Sequence, residues 1–435
     1  MNNNLCIKFI DHISNNIKDI DNPLTEHNTI FNNHWNNNKQ NINCLINILY
    51  NQLKIIIKQK IVIQHNKHIK WNPIIHEYPI SYINYQNIIE IDFDTFNEKF
   101  NRREINLYNI DYRSLIQKYI HPTIDTTILN ILDSFQNGKF ISLDIRLYTE
   151  NYINNCYTYI FSHLELYIFN NDKEFNNLIR DDLVLNIYQI TKWIYNLNPI
   201  KKITLYYIDT TINKKIIRDI NYFCSKNINS GLSTTDYIII WRREEILKVL
   251  IHELIHYLNI DLKHNTQLGT IINYTIGIFD YPILINETIT EIQAQFYNTL
   301  YTLIIDNIDS PVSEIYKLFK IFYNLEQIYS WYQFNKIMNY LSIDCFDIEL
   351  IKKNFNQSTN VYSYYILKSI FTMHFFDILN ELNYIQKLIK LKSSNNILIK
   401  IKNIIDNLPI IFINKIIKNL QINNDSLRLT IFGYY

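Results

Sequence analysis

Alanine occurs once in this 435-residue chain, at Ala294, glycine five times and proline eight times. Such scarcity excludes collagen-like and linker-rich material, which need abundant glycine and proline. Cysteine is sparse too: Cys6, Cys44, Cys156, Cys224 and Cys345 are widely spaced, with no C-x-x-C pair. An odd number at those spacings gives no disulfide framework and no cysteine-based zinc site. Neither sign of charge prevails, with 42 Lys and Arg against 41 Asp and Glu and a net charge of +1. The basic excess of a nucleic-acid binder is missing, so no nucleic-acid partner is expected. No run of about eighteen apolar residues occurs, and no membrane span is expected. The start, Met1-Asn2-Asn3-Asn4-Leu5-Cys6, lacks a basic segment followed by an apolar one. No secretory signal is therefore expected. These absences together predict a soluble, intracellular protein.

What fills the chain is unusual. Roughly a fifth is Ile and about one residue in seven is Asn, whereas Leu, Ala and Gly lead an ordinary soluble mixture. Tyr stands at 34. Ile, Asn, Lys and Tyr have AT-rich codons, so we read this bias as the mark of an AT-rich genome, and Asn runs carry little structural information. With 47% hydrophobic and 19% charged residues, the chain can bury a sizeable core. Its length suggests two or three compact domains.

Along the chain, residues 1–40 are polar and Asn-rich and read as loop or loosely held terminus, and 42–63 as a helix. Ile141, Leu143, Ile145 and Leu147 alternate with polar residues, the period of a half-buried strand. Leu183, Ile187, Ile190 and Ile194 form a helical stripe ending before Asn198-Pro199. Residues 203–208 read as a strand, 229–233 as a turn and 237–241 as a buried strand. A helix follows from Glu244 to Leu258, and beyond about residue 285 the pattern is predominantly helical. The Lys-rich stretches 53–70 and 387–418 read as amphipathic elements with a solvated Lys face.

The chemistry concentrates in His252-Glu253-Leu254-Ile255-His256. Histidines at i and i+4 share one helical face, about 5–6 Å apart at Cβ. Both imidazoles can then reach one tetrahedral ion, with the intervening Glu beside a water as general base. Ile246, Val249, Leu250, Leu254 and Leu258 supply an apolar side, which disfavours a solvated surface helix. A catalytic zinc needs a third protein ligand. Downstream, Ile285, Ile289, Ile292 and Phe296 predict a second helix, with Glu287 and Glu291 one turn apart on another face. One carboxylate can bind the metal while the other orients a ligand histidine through its free ring N–H. Asp261, His264 and Asp280 are further candidates for the third ligand. The pattern H-E-x-x-H-x-x-G-x-x-H is excluded, because its later positions are Asn259 and Leu262.

H-E-x-x-H followed by N-E-x-x-x-D/E resembles the gluzincin, or thermolysin-like, zinc metallopeptidases, over roughly residues 227–300. The resemblance implies His252, His256 and Glu287 as ligands of Zn2+, Glu253 as general base and Glu291 as partner of a ligand histidine. It implies an α+β fold, a zincin-like mixed lobe carrying the H-E-x-x-H helix followed by a mainly helical C-terminal lobe. The chain then divides into an N-terminal accessory region 1–130, the mixed lobe 131–265 and the helical lobe 266–435. In such enzymes a sheet edge strand pairs with the extended substrate, which points to Ile238, Ile239 and Ile240; an ordinary core strand is the other reading. An oxyanion donor comes from a Tyr or His of the helical lobe, for which Tyr364, Tyr365 and His374 are candidates.

The expected function is a zinc-dependent metallopeptidase acting on a peptide or protein substrate. One alternative is a non-peptidase zinc amidohydrolase of the deformylase type, whose third ligand would be an upstream Cys. Cys224 precedes the helix but without the glycines expected around that ligand. Another is a non-catalytic structural or interaction protein, of the kind found in virions of large DNA viruses, retaining a zinc site. The rare small residues gather near the motif: Gly231, Gly269 and Gly277 flank it, and Ala294 follows Glu291, where a small side chain lets two helices approach closely.

Overall fold

The computed structural model describes residues 21–59, 67–70, 155–170, 177–216, 223, 225–261, 283–357, 359–381, 399, 403–404, 407, 410–419 and 426–431. The strand expected over 141–147, the residues Cys224, His264, Gly269, Gly277 and Asp280, and the boundaries near 130 and 265 lie outside them. Within them the fold is α+β, a small mixed sheet covered by a larger body of helices.

A six-stranded sheet runs in the order β1-β2-β3-β4-β6-β5. Its strands are β1 (Lys67–Lys70), β2 (Asn155–Ile160), β3 (Leu164–Asn170), β4 (Ile203–Ile208), β5 (Gly231–Ser233) and β6 (Ile238–Ile240). β1, β2 and β3 are antiparallel neighbours, β3, β4 and β6 run parallel, and β5 returns antiparallel to β6 with Ser233 opposite Ile238. Alternation decides the faces. Leu164, Leu166, Ile168, Leu205 and Tyr207 point into the main core. Phe169, Tyr206, Ile208, Ile239 and Trp241 form a smaller cluster on the opposite face.

The helices are α1 (Asp21–Lys58), α2 (Asn177–Tyr195), α3 (Ser225–Ile228), α4 (Ile246–Tyr257), α5 (Ile285–Asp306), α6 (Val312–Tyr340), α7 (Ile348–Asn354), α8 (Lys368–Thr372), α9 (Phe375–Glu381) and α10 (Ile410–Asn419). A π-helical segment, Tyr362–Leu367, leads into α8. α2 crosses between the parallel strands β3 and β4, and its expected stripe of Leu183, Ile187, Ile190 and Ile194 is buried. α4 packs against β5, β6, α2 and α5. Ala294 of α5 is fully buried in the same core. No helix among the described residues is long and apolar enough to cross a membrane.

Two expectations are corrected. Residues 21–40 are not a loose polar terminus but the first half of α1. Phe31, Trp35, Ile42, Leu45, Leu49, Leu53 and Ile56 recur at helical spacing and are buried in the main core, while the Asn runs fall between them. Trp35 packs edge-on to Phe376 at 5.4 Å between ring centroids, so α1 is integral to the helical layer. The stretch 229–233 is likewise not merely a turn, because its last three residues form β5. Of the Lys-rich stretches, α10 turns Phe412, Ile413, Ile416 and Ile417 inward and pairs Lys415 with Glu26 at 2.6 Å.

Two histidines are built into this core in the neutral form. Burial lowers both His27 and His163 from 6.5 to about 4, against the hydrogen bond between His27 Nε2 and Asn324 Oδ1. The unfolded chain therefore takes up protons below about pH 6.5 that the folded chain refuses until about pH 4. Stability should fall with pH across that window, by on the order of 3 kcal/mol per histidine if each shift is fully expressed. Thermal denaturation at pH 7 and pH 4.5 checks this: His163→Gln should narrow the gap between the two melting temperatures, and an unchanged gap would reject the assignment.

Candidate functional site

The helix α4 that carries the motif is buried along nearly its whole length. That is unusual for a stretch with two His, a Lys and a Glu, and it requires partners for each polar group. Most come from α5, which packs along α4 and brings Glu287 and Glu291 opposite the histidines. His252 Nδ1 lies 3.1 Å from Glu291 Oε2, and His256 Nδ1 lies 2.9 Å from Asp261 Oδ2. Each carboxylate accepts a hydrogen bond from Nδ1–H, which turns the Nε2 atom of each ring toward the cleft.

Those two Nε2 atoms are 3.2 Å apart, and each is 3.4 Å from Glu287 Oε2. Three electron-rich atoms forming so small a triangle repel one another unless a proton or a cation sits among them. A tetrahedral Zn2+ with bonds of about 2.0–2.1 Å holds its ligand atoms about 3.3–3.4 Å apart. The triangle fits that size, and the donor set of two imidazoles and one carboxylate fits zinc chemistry. His252, His256 and Glu287 are one of the two groups among the described residues able to hold a metal ion.

Charge in the site is balanced by burial and pairing. Burial opposes a charged imidazole at His252, but its hydrogen bonds to Glu287 and Glu291 outweigh it and the net direction is upward. Burial likewise opposes charge at His256, and Asp261 and Glu287 together raise it well above the ordinary value. Burial works against the Glu287 carboxylate, yet the two histidines hold it well below the usual range. At Glu253 the two histidines and Ser233 do not outweigh burial, which pushes the carboxyl upward. Glu291, also disfavoured by burial, is kept ionised by Lys248 and Lys368. Lys248 pairs with its Oε1, and Lys368 Nζ lies 3.4 Å from the same atom. Burial pulls Lys248 down to about 8.

The surrounding cleft has a volume of about 410 Å³, within the range of small-ligand and substrate pockets. His252, Glu253, His256, Glu287 and Tyr364 line it together with all of β5. β5 is pressed onto α4. A Cβ on Gly231 would stand 2.8 Å from Glu253 Oε1 and 2.9 Å from Val249 Cγ1, so only glycine allows this approach. The loop before β5 is braced from the far side, where Arg242 Nε and Trp241 Nε1 both donate to the Asn229 carbonyl. Arg243, paired with Asp209, is likewise a structural brace.

Tyr364 donates to Glu287 Oε2 at 2.9 Å, and its ring stands edge-on to that of His252. Burial and the nearby Glu287 raise its phenol well above the ordinary value, so it remains a proton donor at neutral pH. Tyr365, the other candidate, is corrected: it points into the interior and donates to the Leu427 carbonyl, because adjacent residues on the π-helical segment face different sides. His374 is also away from the cleft, beside Asp377. Ile238, Ile239 and Ile240 are corrected as well. β6 is paired on both sides, by β4 and β5, and all three side chains are buried. Among the described residues, the strand at this edge of the sheet is β5.

Asp261, weighed as a metal ligand, instead holds the second ring nitrogen of His256. Motif spacing does not point to Lys248 or Lys368. Lys248 precedes His252 by one turn on the same face, and a lysine on the buried side of a helix was the available signal. The chain matches no protein-family model, no curated protein and no solved structure in comparisons with all three.

Proposed function

We propose that the protein is a zinc-dependent metallopeptidase with a zincin-like arrangement, the reading that the gluzincin resemblance of its motifs implies. The observation that carries it is the triangle of His252 Nε2, His256 Nε2 and Glu287 Oε2, with Glu253 beside it in one cleft. Bound to those three atoms, Zn2+ supplies Lewis acidity that polarises a scissile carbonyl and acidifies a water molecule.

The chain's own residues do the rest. Glu253, with a carboxyl shifted upward by burial, accepts the proton of the attacking water and returns it to the departing amine. Glu291 and Asp261 fix the histidine tautomers, so that Nε2 and not Nδ1 faces the cleft. Tyr364 takes the role of donor to the developing oxyanion. β5 offers its outer edge to an extended peptide, whose backbone would add as a further antiparallel strand.

The test is hydrolysis of a quenched-fluorescence peptide library by the zinc-loaded chain. Cleavage that stops with a chelator and returns with Zn2+ is the expected result. Turnover of formylated or acetylated small amides without peptide cleavage would replace the peptidase with an amidohydrolase. A zinc-loaded chain that hydrolyses neither would overturn the enzymatic reading.

A further inference from the structure

A second group of metal-binding side chains stands apart from the cleft. His34 of α1, His374 in the turn between α8 and α9 and Asp377 in the first turn of α9 bring their donor atoms within 4.8 Å of one another. None of them lines the cleft. His34 Nδ1 lies 2.7 Å from Asp377 Oδ2, and His374 Nδ1 lies 3.7 Å from the same oxygen. The two imidazoles meet edge to face at 4.8 Å and 78°. The pair proposed to hold zinc, His252 and His256, meets at 4.9 Å and 72°. The same mutual ring geometry therefore occurs twice, each time with a carboxylate oxygen between the nitrogens.

The carboxylate is held in place for this. Asn38, one turn after His34 and only 3% exposed, donates its amide to Asp377 Oδ1 at 2.9 Å and to the His34 carbonyl at 2.8 Å. One oxygen of Asp377 is thus occupied by an amide, and the other is turned to the two rings. The three side chains are 17–24% exposed, which leaves room for a water as a fourth ligand. The hydrophobic contact of Trp35 with Phe376 lies immediately beneath, formed by the chain neighbours of His34 and Asp377.

We propose that His34, His374 and Asp377 form a second divalent-metal site, selective for borderline ions such as Zn2+, whose role is to clamp α1 to the C-terminal helices. Two imidazoles and one carboxylate suit such an ion. The site lacks what the cleft has: neither a glutamate base nor a strand for substrate stands beside it among the described residues. Its ligands are 340 positions apart in sequence, from 34 to 374, so binding there is coupled directly to holding the fold closed. This assignment is independent of any catalytic role for the first centre.

The experiment uses the full chain and Zn2+ alone as probe. After loading and buffer exchange, the unaltered chain should hold about two zinc ions. His252→Ala/His256→Ala should hold about one, and zinc should still raise its melting temperature. Adding His34→Ala or His374→Gln to that variant should remove both the ion and the zinc-dependent shift. In the otherwise intact chain, His374→Gln should leave about one ion, in the cleft. A folded His252→Ala/His256→Ala chain that holds no zinc, or an intact chain in which His374→Gln still holds two, would overturn the proposal. Failure of the first centre alone reads differently, as one ion lost with His374→Gln and unaffected by His252→Ala.

Discussion

Glu253→Gln should leave the chain folded and zinc-loaded while lowering kcat/KM for peptide cleavage by about 10²–10⁴-fold, the usual worth of a general base. The substitution keeps the shape of the side chain, and shape matters here because β5 packs directly on it. The carboxylate Oε1 would meet any Cβ on Gly231 at 2.8 Å, so a larger or rotated group has no space. Burial already disfavours the charged form of Glu253. A neutral amide therefore costs the folded state little, and the loss falls on proton transfer. Zinc content by elemental analysis and melting temperature are measured beside the rate. Activity within tenfold of the unaltered chain would remove Glu253 from the mechanism, and loss of zinc would make it a metal-site residue instead.

Glu287→Ala should weaken zinc binding in the cleft by more than the roughly 10–100-fold expected when a residue that only orients a ligand is changed. The comparison variant is Asp261→Asn, which disturbs the Nδ1 partner of His256 while sparing all three atoms of the triangle. Competition with a chromophoric chelator gives the affinities, measured in a His374→Gln background so that only the cleft is read. If Asp261→Asn proved the more damaging, the third ligand would move from Glu287 to Asp261. Glu291 is a poorer probe. Its carboxylate neutralises both Lys248 and Lys368 in a fully buried setting, and removing one partner of buried ion pairs costs about 3–5 kcal/mol of stability. A defect in Glu291→Ala would mix unfolding with metal loss.

Much of the helical layer was legible from period alone. α2, α4 and α5 carry apolar stripes at three- and four-residue spacing, and those stripes are buried. α1 carries the same period, from Phe31 through Ile56. Over 21–40 the sequence nonetheless reads as loop, because the intervening Asn residues weaken the signal. β5 was harder. Three residues, Gly231-Leu232-Ser233, show no alternation long enough to separate a strand from a turn, and only pairing with β6 makes them one. Tyr364 and Tyr365 were equivalent in sequence. The π-helical segment on which they sit separated them, turning one to Glu287 and the other to Leu427.

The sequence by itself determined the histidine pair that we propose binds the metal. His252 and His256 share a face because four residues make about one helical turn, and Glu253 follows from its place between them. It also narrowed the partners to two carboxylates, Glu287 and Glu291, on a second amphipathic helix. Which carboxylate does what was decided only by the tertiary structure. Packing of α5 on α4 sets Glu287 Oε2 against both Nε2 atoms and hands Glu291 to His252 Nδ1 and two buried lysines. Roles of that kind depend on distances of a few tenths of an ångström between elements far apart in the chain. Periodicity governs one helix at a time and carries no information about them.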